Sequence, residues 1–197
     1  MKVLGISGSP RSRGNTARIL AEVLRGVSDA GGEASAVSLS EYTIEGCVGC
    51  ERCRRDQTCT RFNDGMTLLY PRVADADALV LGSPVYHYNV TSQMKAFIDR
   101  LYAFYDFTDE HPRGYSSRLA DRERKAAVFA VGEQADPTDL GVALEALSLP
   151  LRPLGYGVVA KLPVLNCFES GIVEKKREVL EQAYRCGREL VAAFSGT

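Results

Sequence analysis

Three short apolar runs, residues 2–7 (KVLGIS), 77–82 (DALVLG) and 125–131 (KAAVFAV), lack the alternation of a strand with one wet face. Strands of this kind are covered on both sides, as in a parallel sheet sandwiched between helices. The intervening segments supply the helices. Residues 15–30 place apolar side chains at 19, 20, 23, 24 and 27, a helical stripe stopped by Gly31-Gly32. Residues 91–103 do the same with Met94, Phe97, Ile98 and Leu101, and residues 136–149 with Leu140, Ala143, Leu144 and Leu147. A closing amphipathic helix is read over 173–194, and strands over 33–39 and 157–162. Five strands alternating with helices require crossover connections, so the predicted fold is α/β with a doubly wound five-stranded parallel sheet. The order 2-1-3-4-5 would set strands 1 and 3 side by side at the switch point, where such sheets bind ligands.

A chain of 197 residues suits a single domain, residues 1–197, with one or two long excursions. Its net charge of -1 offers no general nucleic-acid surface; Arg52, Arg54, Arg55 and Arg61 form only a local basic cluster. No apolar run reaches membrane length, and the apolar start of MKVLGIS is too short for a signal peptide. A cytoplasmic location is therefore expected. In that compartment the six cysteines read as thiols or metal ligands before disulfides.

The first strand leads into Ser7-Gly8-Ser9-Pro10-Arg11-Ser12-Arg13-Gly14-Asn15-Thr16. Unpaired N–H groups and the positive end of a helix meet there, which makes a site for an anion. Ser9, Ser12 and Thr16 add hydroxyls, Asn15 an amide and Arg11 a charge. The glycine spacing fits neither a Walker A loop nor GxGxxG, and a single mononucleotide phosphate fits best. An ordinary polar turn capped at Gly14 or Asn15 is the plainer alternative. The third strand leaves through Gly82-Ser83-Pro84-Val85-Tyr86-His87-Tyr88-Asn89. Pro84 stiffens that turn, while Val85, Tyr86 and His87 offer apolar and aromatic surface to a flat ring. Such a loop is more often packing, and its position opposite the phosphate loop raises its standing.

Residues 41–63 carry Cys47, Cys50, Cys53 and Cys59, the spacing C-x2-C-x2-C-x5-C. Three thiolates at successive short spacings can wrap one cubane and a fourth can close it, as in ferredoxin-like [4Fe–4S] ligation. Structural zinc, which favours separated knuckles, comes second, and free thiols are a third possibility. The neighbouring arginines 52, 54, 55 and 61 could offset the charge of an all-thiolate cluster. Cys186 reads as a small buried hydrophobe in the closing helix, and Cys167 has no assigned role.

GISGSPRSRGNT followed by LGSPVYHYNVTSQMKAFIDR resembles the flavodoxin-like NADPH-dependent FMN reductase family, and within it the iron–sulfur flavoproteins. The specific motifs cover residues 1–100, and the order of elements continues to the C-terminus. The resemblance implies FMN, its phosphate at Ser9, Arg11, Asn15 and Thr16. Its ring would lie against Pro84, Val85 and Tyr86, with Asn89 close by and a third loop at Gly132. It implies a homodimer or homotetramer, with the cluster of one chain serving the flavin of another. Electrons would come from a ferredoxin or from NAD(P)H. Gly65 replaces an aspartate common in the family and is expected to loosen the start of the next helix.

Residues 104–124 are a polar excursion dotted with aromatics, expected to cover a site or a subunit contact. His87 could move protons near a ring, while His111 reads as surface. Lys95 and Asp99 are spaced as a helix-stabilising pair. No catalytic side-chain set stands out, so a bound flavin would carry the chemistry.

Overall fold

The computed structural model describes residues 1–194. Its strands in chain order are β1 (Lys2–Ser7), β2 (Glu33–Ser38), β3 (Ala78–Pro84), β4 (Tyr105–Phe107), β5 (Tyr115–Ser117), β6 (Arg124–Val131) and β7 (Tyr156–Val164). The helices are α1 (Asn15–Asp29), α2 (Arg52–Asp56), α3 (Gly65–Asp75), α4 (Ser92–Arg100), α5 (Ala143–Ser148) and α6 (Arg177–Ala192). Strands β4 and β5 pair as a small antiparallel hairpin, and the other strands form one 5-stranded parallel sheet in the order β2-β1-β3-β6-β7. Counted within that sheet alone, this is the expected 2-1-3-4-5.

The apolar runs behave as their lack of alternation requires. Leu4, Ile6, Leu79, Leu81, Ala126 and Val128 face α3, α4 and α5. Their neighbours Val3, Ala78, Val80, Ala127 and Phe129 face α1 and α6. The two-residue period of a strand thus sends every second side chain into each of two cores. On α1 the stripe Ile19, Leu20, Val23, Leu24 and Val27 is buried throughout, each side chain contributing roughly 1.5–3 kcal/mol. The edge strand β7 alternates instead, because one side of it meets water, and the other edge strand, β2, fully buries only Val37.

Two expectations need correction. The stretch 136–149 is not one helix: a 3-10 turn at Pro137–Leu140 ends at Gly141, and α5 is confined to Ala143–Ser148. Gly141 has φ +53, and a Cβ there would stand 2.1 Å from the Tyr88 carbonyl oxygen. The helix breaks so that the chain can press against the aromatic loop, where the Val142 N–H donates to that same carbonyl at 2.9 Å.

Gly65 does not loosen α3 either. Asp64 caps the helix by accepting from the Met66 N–H, and the Gly65 N–H donates to the Thr43 carbonyl. A Cβ at Gly65 would meet Tyr42 Cβ at 2.7 Å, so this is a close-approach position.

The excursion of residues 104–124 packs in part on its own chain. Tyr102, Tyr105, Phe107 and Tyr115 stack on one another with ring centroids 5.1–6.3 Å apart. Phe104 enters the core, and Arg118 donates to the carbonyls of Gln57 and Ala103. The hairpin buttresses the cysteine segment from within the same chain.

Candidate functional site

At the sheet's switch point the loops after β1 and β3 are tied together. The Gly8 N–H donates to the Gly82 carbonyl at 2.7 Å, and the Thr91 hydroxyl donates to the Gly8 carbonyl at 2.6 Å. Thr91 also caps α4 by accepting from the Met94 N–H. Between these loops lies a cleft of about 150 Å³ that brings Ser9, Arg11, Gly14, Asn15 and Thr16 to Pro84, Val85 and Tyr86. Helix α1 starts there with Gly14 at its N-cap and no side-chain cap, which leaves its first N–H groups without a side-chain acceptor. Ser9 and Thr16 are buried, while Arg11 is exposed at the rim.

The aromatic loop is strained. Tyr86 and Asn89 pair through both backbone groups, and the intervening His87 and Tyr88 both take left-handed φ, 48 and 65. Two bulky residues in that region are costly, and such strain gathers at ligand-binding turns. The turn leaves Tyr86 about half exposed beside the cleft.

Ser83, Asn89 and Gly132 do not line this cleft. Ser83 is wholly buried, donating to the Pro84 carbonyl and accepting from the Thr91 N–H. Asn89 accepts from the Val90 N–H with its own side chain. Gly132 donates to the Val164 carbonyl and accepts from the Cys167 N–H, so both its backbone groups are used. These hydrogen bonds shape the loops on either side of the cleft. Asn15 differs again: its side-chain amide donates to the carbonyls of Cys167 and Glu169, and its oxygen accepts from the Val173 N–H. It thereby holds residues 167–173 over the cleft, where Cys167, Phe168 and Ser170 join Val131 and Glu133 in the lining. Those contributors follow β6 and β7 and carry no motif; only the sheet order brings them to the first loop.

The four cysteines do converge. Cys47, Cys50, Cys53 and Cys59 line one cavity of about 390 Å³ with Arg52, Arg61, Phe62, Tyr70, Arg100 and Tyr102. Cys47 and Cys50 are exposed, and Cys53 and Cys59 are half-buried. Burial, then the neighbouring thiols of Cys59, Cys47 and Cys50, push the Cys53 thiol up. Among the described residues no three His, Cys, Asp or Glu side chains close tightly enough to grip a single metal ion. Two of the expected arginines turn elsewhere. Arg54 donates to the Tyr102 hydroxyl and sits 4.6 Å over the Phe107 ring, and Arg55 pairs with Asp56.

Arg100 takes a place in this cavity that no sequence motif indicated. Its guanidinium meets Asp64 twice, at 2.8 and 3.2 Å, and donates to the Glu45 carbonyl at 2.8 Å. Asp64 also accepts from the Glu45 N–H. Burial would push the Asp64 carboxyl up, but Arg100 and these N–H donors hold it below its usual range. Burial, partly offset by Arg100, pushes the Tyr70 hydroxyl up to about 12, and that hydroxyl donates to the Arg100 carbonyl. This network pins the base of the cysteine segment to α3 and α4. Lys95 and Asp99 pair at 2.5 Å along α4, as their spacing predicted.

A doubly wound sheet with its ligand cleft at the β1/β3 switch point defines a flavodoxin-like protein. A family model described as NADPH-dependent FMN reductase matches residues 1–136. An iron–sulfur flavoprotein of Archaeoglobus fulgidus is 41% identical over 98% of this chain and 80% of its own length. One from Methanocaldococcus jannaschii is 39% identical over 100 residues, 51% of each chain, so the match spans about half of that relative. Among solved structures, an NAD(P)H:quinone oxidoreductase from Methanothermobacter marburgensis superposes with a TM-score of 0.71 at 22% identity, covering 96% of this chain and 98% of that one. The chain belongs to the NADPH-dependent FMN reductase family, among its iron–sulfur flavoproteins. It is a member of a class of flavin-dependent oxidoreductases. Among the described residues no helix is long and apolar enough to cross a membrane.

Proposed function

We propose that this protein passes electrons between a [4Fe–4S] cluster at Cys47, Cys50, Cys53 and Cys59 and an FMN in the switch-point cleft. The observation that carries the reading is the gathering of all four cysteines around one cavity with Arg52, Arg61 and Arg100. Their spacing C-x2-C-x2-C-x5-C suits a cubane, whereas structural zinc favours separated knuckles. When bound, the cluster supplies single electrons and FMN one or two, so that a small acceptor such as a quinone, an oxygen species or a metal ion is reduced. The uncapped start of α1, the Ser9 and Thr16 hydroxyls and Arg11 bind the phosphate. Pro84, Val85 and Tyr86 support the ring, and Asn15 keeps the 167–173 segment closed over it. A homodimer or homotetramer and a ferredoxin or NAD(P)H donor belong to the same reading, as does a cytoplasmic location.

Anaerobic preparation followed by iron, sulfide and flavin analysis tests the proposal. One FMN and four irons per chain are expected. A chain that holds FMN without iron, with rapid bleaching by NADPH, would instead be a cluster-free NAD(P)H-dependent FMN or quinone reductase. The family model's description favours that second reading.

A further inference from the structure

We infer that Phe168 closes the switch-point cleft from its β7 side and lays its ring against the ring system of the bound flavin. The inference rests on the proposed FMN and deepens it by naming a contact from the last part of the chain. Phe168 is 70% exposed, more than any other large apolar side chain among the described residues. A ring left in water forgoes the gain of burial, and on an open face a single one would need no explanation. Phe168 is not on an open face. It lines the cleft together with Pro84, Val85 and Tyr86.

Its neighbours fix its position. The Asn15 amide donates to the carbonyls of Cys167 and Glu169, the residues on either side of it. The Cys167 N–H donates to the Gly132 carbonyl at 3.0 Å, and Cys167 is itself buried in the core shared by α1 and α6. Asn166 and Gly171 bracket the segment with left-handed φ of 57 and 80. The main chain is thus not free to shift and bury the ring. In the sheet β6 lies between β3 and β7, so Tyr86 and Phe168 come to the cleft from opposite sides, with Val131 and Glu133 between them. Two exposed rings on rigid walls suit a flat heteroaromatic ligand, which each can meet face on or edge on. Phe168 is therefore a positioning residue for the flavin.

Two measurements test this. Full-length protein freed of flavin is titrated with FMN and with riboflavin, which lacks the phosphate. Phe168→Ala should weaken both by the same factor, about tenfold, as truncation of a stacking ring does, and Phe168→Tyr should bind as the wild type. Unchanged affinities in Phe168→Ala overturn the inference, as does a loss confined to FMN. Because Phe168→Ala could disturb the fold, the second measurement uses the unaltered chain. Hydroxyl-radical footprinting, read by mass spectrometry, should oxidise Phe168 several-fold more slowly with FMN bound, while Tyr115 in the β4–β5 hairpin reacts equally in both states. Equal oxidation of Phe168 with and without FMN overturns the inference whatever Phe168→Ala does. A wild type that binds no flavin overturns the FMN reading as well, whereas bound FMN that leaves Phe168 unprotected overturns this inference alone.

Discussion

Asn15, in the first turn of α1, donates its side-chain amide to the main-chain carbonyl of Cys167, 152 residues further along the chain. The same side chain reaches Glu169 and Val173. One residue of the first loop thus decides where the last part of the cleft wall sits.

Asn15→Ala should therefore lower stability by about 1–3 kcal/mol, since it strips partners from half-buried backbone groups. Arg11→Ala should leave stability unchanged and weaken FMN binding by about tenfold, ~1.4 kcal/mol, the low end for a charged donor because Arg11 is exposed. Thermal unfolding of the apoprotein and flavin titration of both variants separate the two roles. Equal loss of stability in both would show that Arg11 also serves the fold.

Gly82 lies where β3 passes Phe129, and a Cβ there would stand 2.0 Å from the ring. Phe129 is fully buried and cannot move aside. Gly82→Ala should cost about 1–3 kcal/mol or more by overpacking, and Phe129→Leu should recover part of that cost. Chemical denaturation of the two single variants and the double variant measures the coupling. Strict additivity would contradict the close contact.

The Asp64–Arg100 pair should show in the acid limb of stability. The folded carboxyl is held below its unfolded value of about 3.9. Its stabilisation is thus complete above that value and is lost as the pH falls through the lower, folded value. Unfolding followed between about pH 5 and pH 2 should be less steep in Asp64→Asn than in the wild type. Identical acid limbs would remove the pair from the account.

Cys53→Ala should lose iron and sulfide while retaining FMN, because the cysteine cavity and the switch-point cleft share no lining residue. Cys186→Ala should keep both cofactors. Cys186 is buried in α6, and burial, with Glu189 adding to it, pushes its thiol up to about 12. It should also resist alkylation at neutral pH, which mass spectrometry of the labelled protein can read. Loss of FMN in Cys53→Ala would mean that the two sites depend on each other.

The sheet was legible in the sequence because its strands carry the signal themselves. After its leading lysine, a run such as KAAVFAV has no polar position to give to water, whatever surrounds it. The loop after β1 and the cysteine spacing were legible for a related reason: their members are neighbours in sequence, and ring closure over a few residues leaves little choice of geometry. Tertiary structure alone decided the rest. Cys167, Phe168 and Glu133 reach the cleft only because β6 pairs with β3 and β7 with β6, and Asn15 braces residues 167–173 only because they pass above it. The break at Gly141 follows from contact with Tyr88, and the role of Arg100 from the meeting of α3, α4 and the cysteine segment. Such partners are brought together by the packing of distant elements, and local sequence patterns carry no record of that packing.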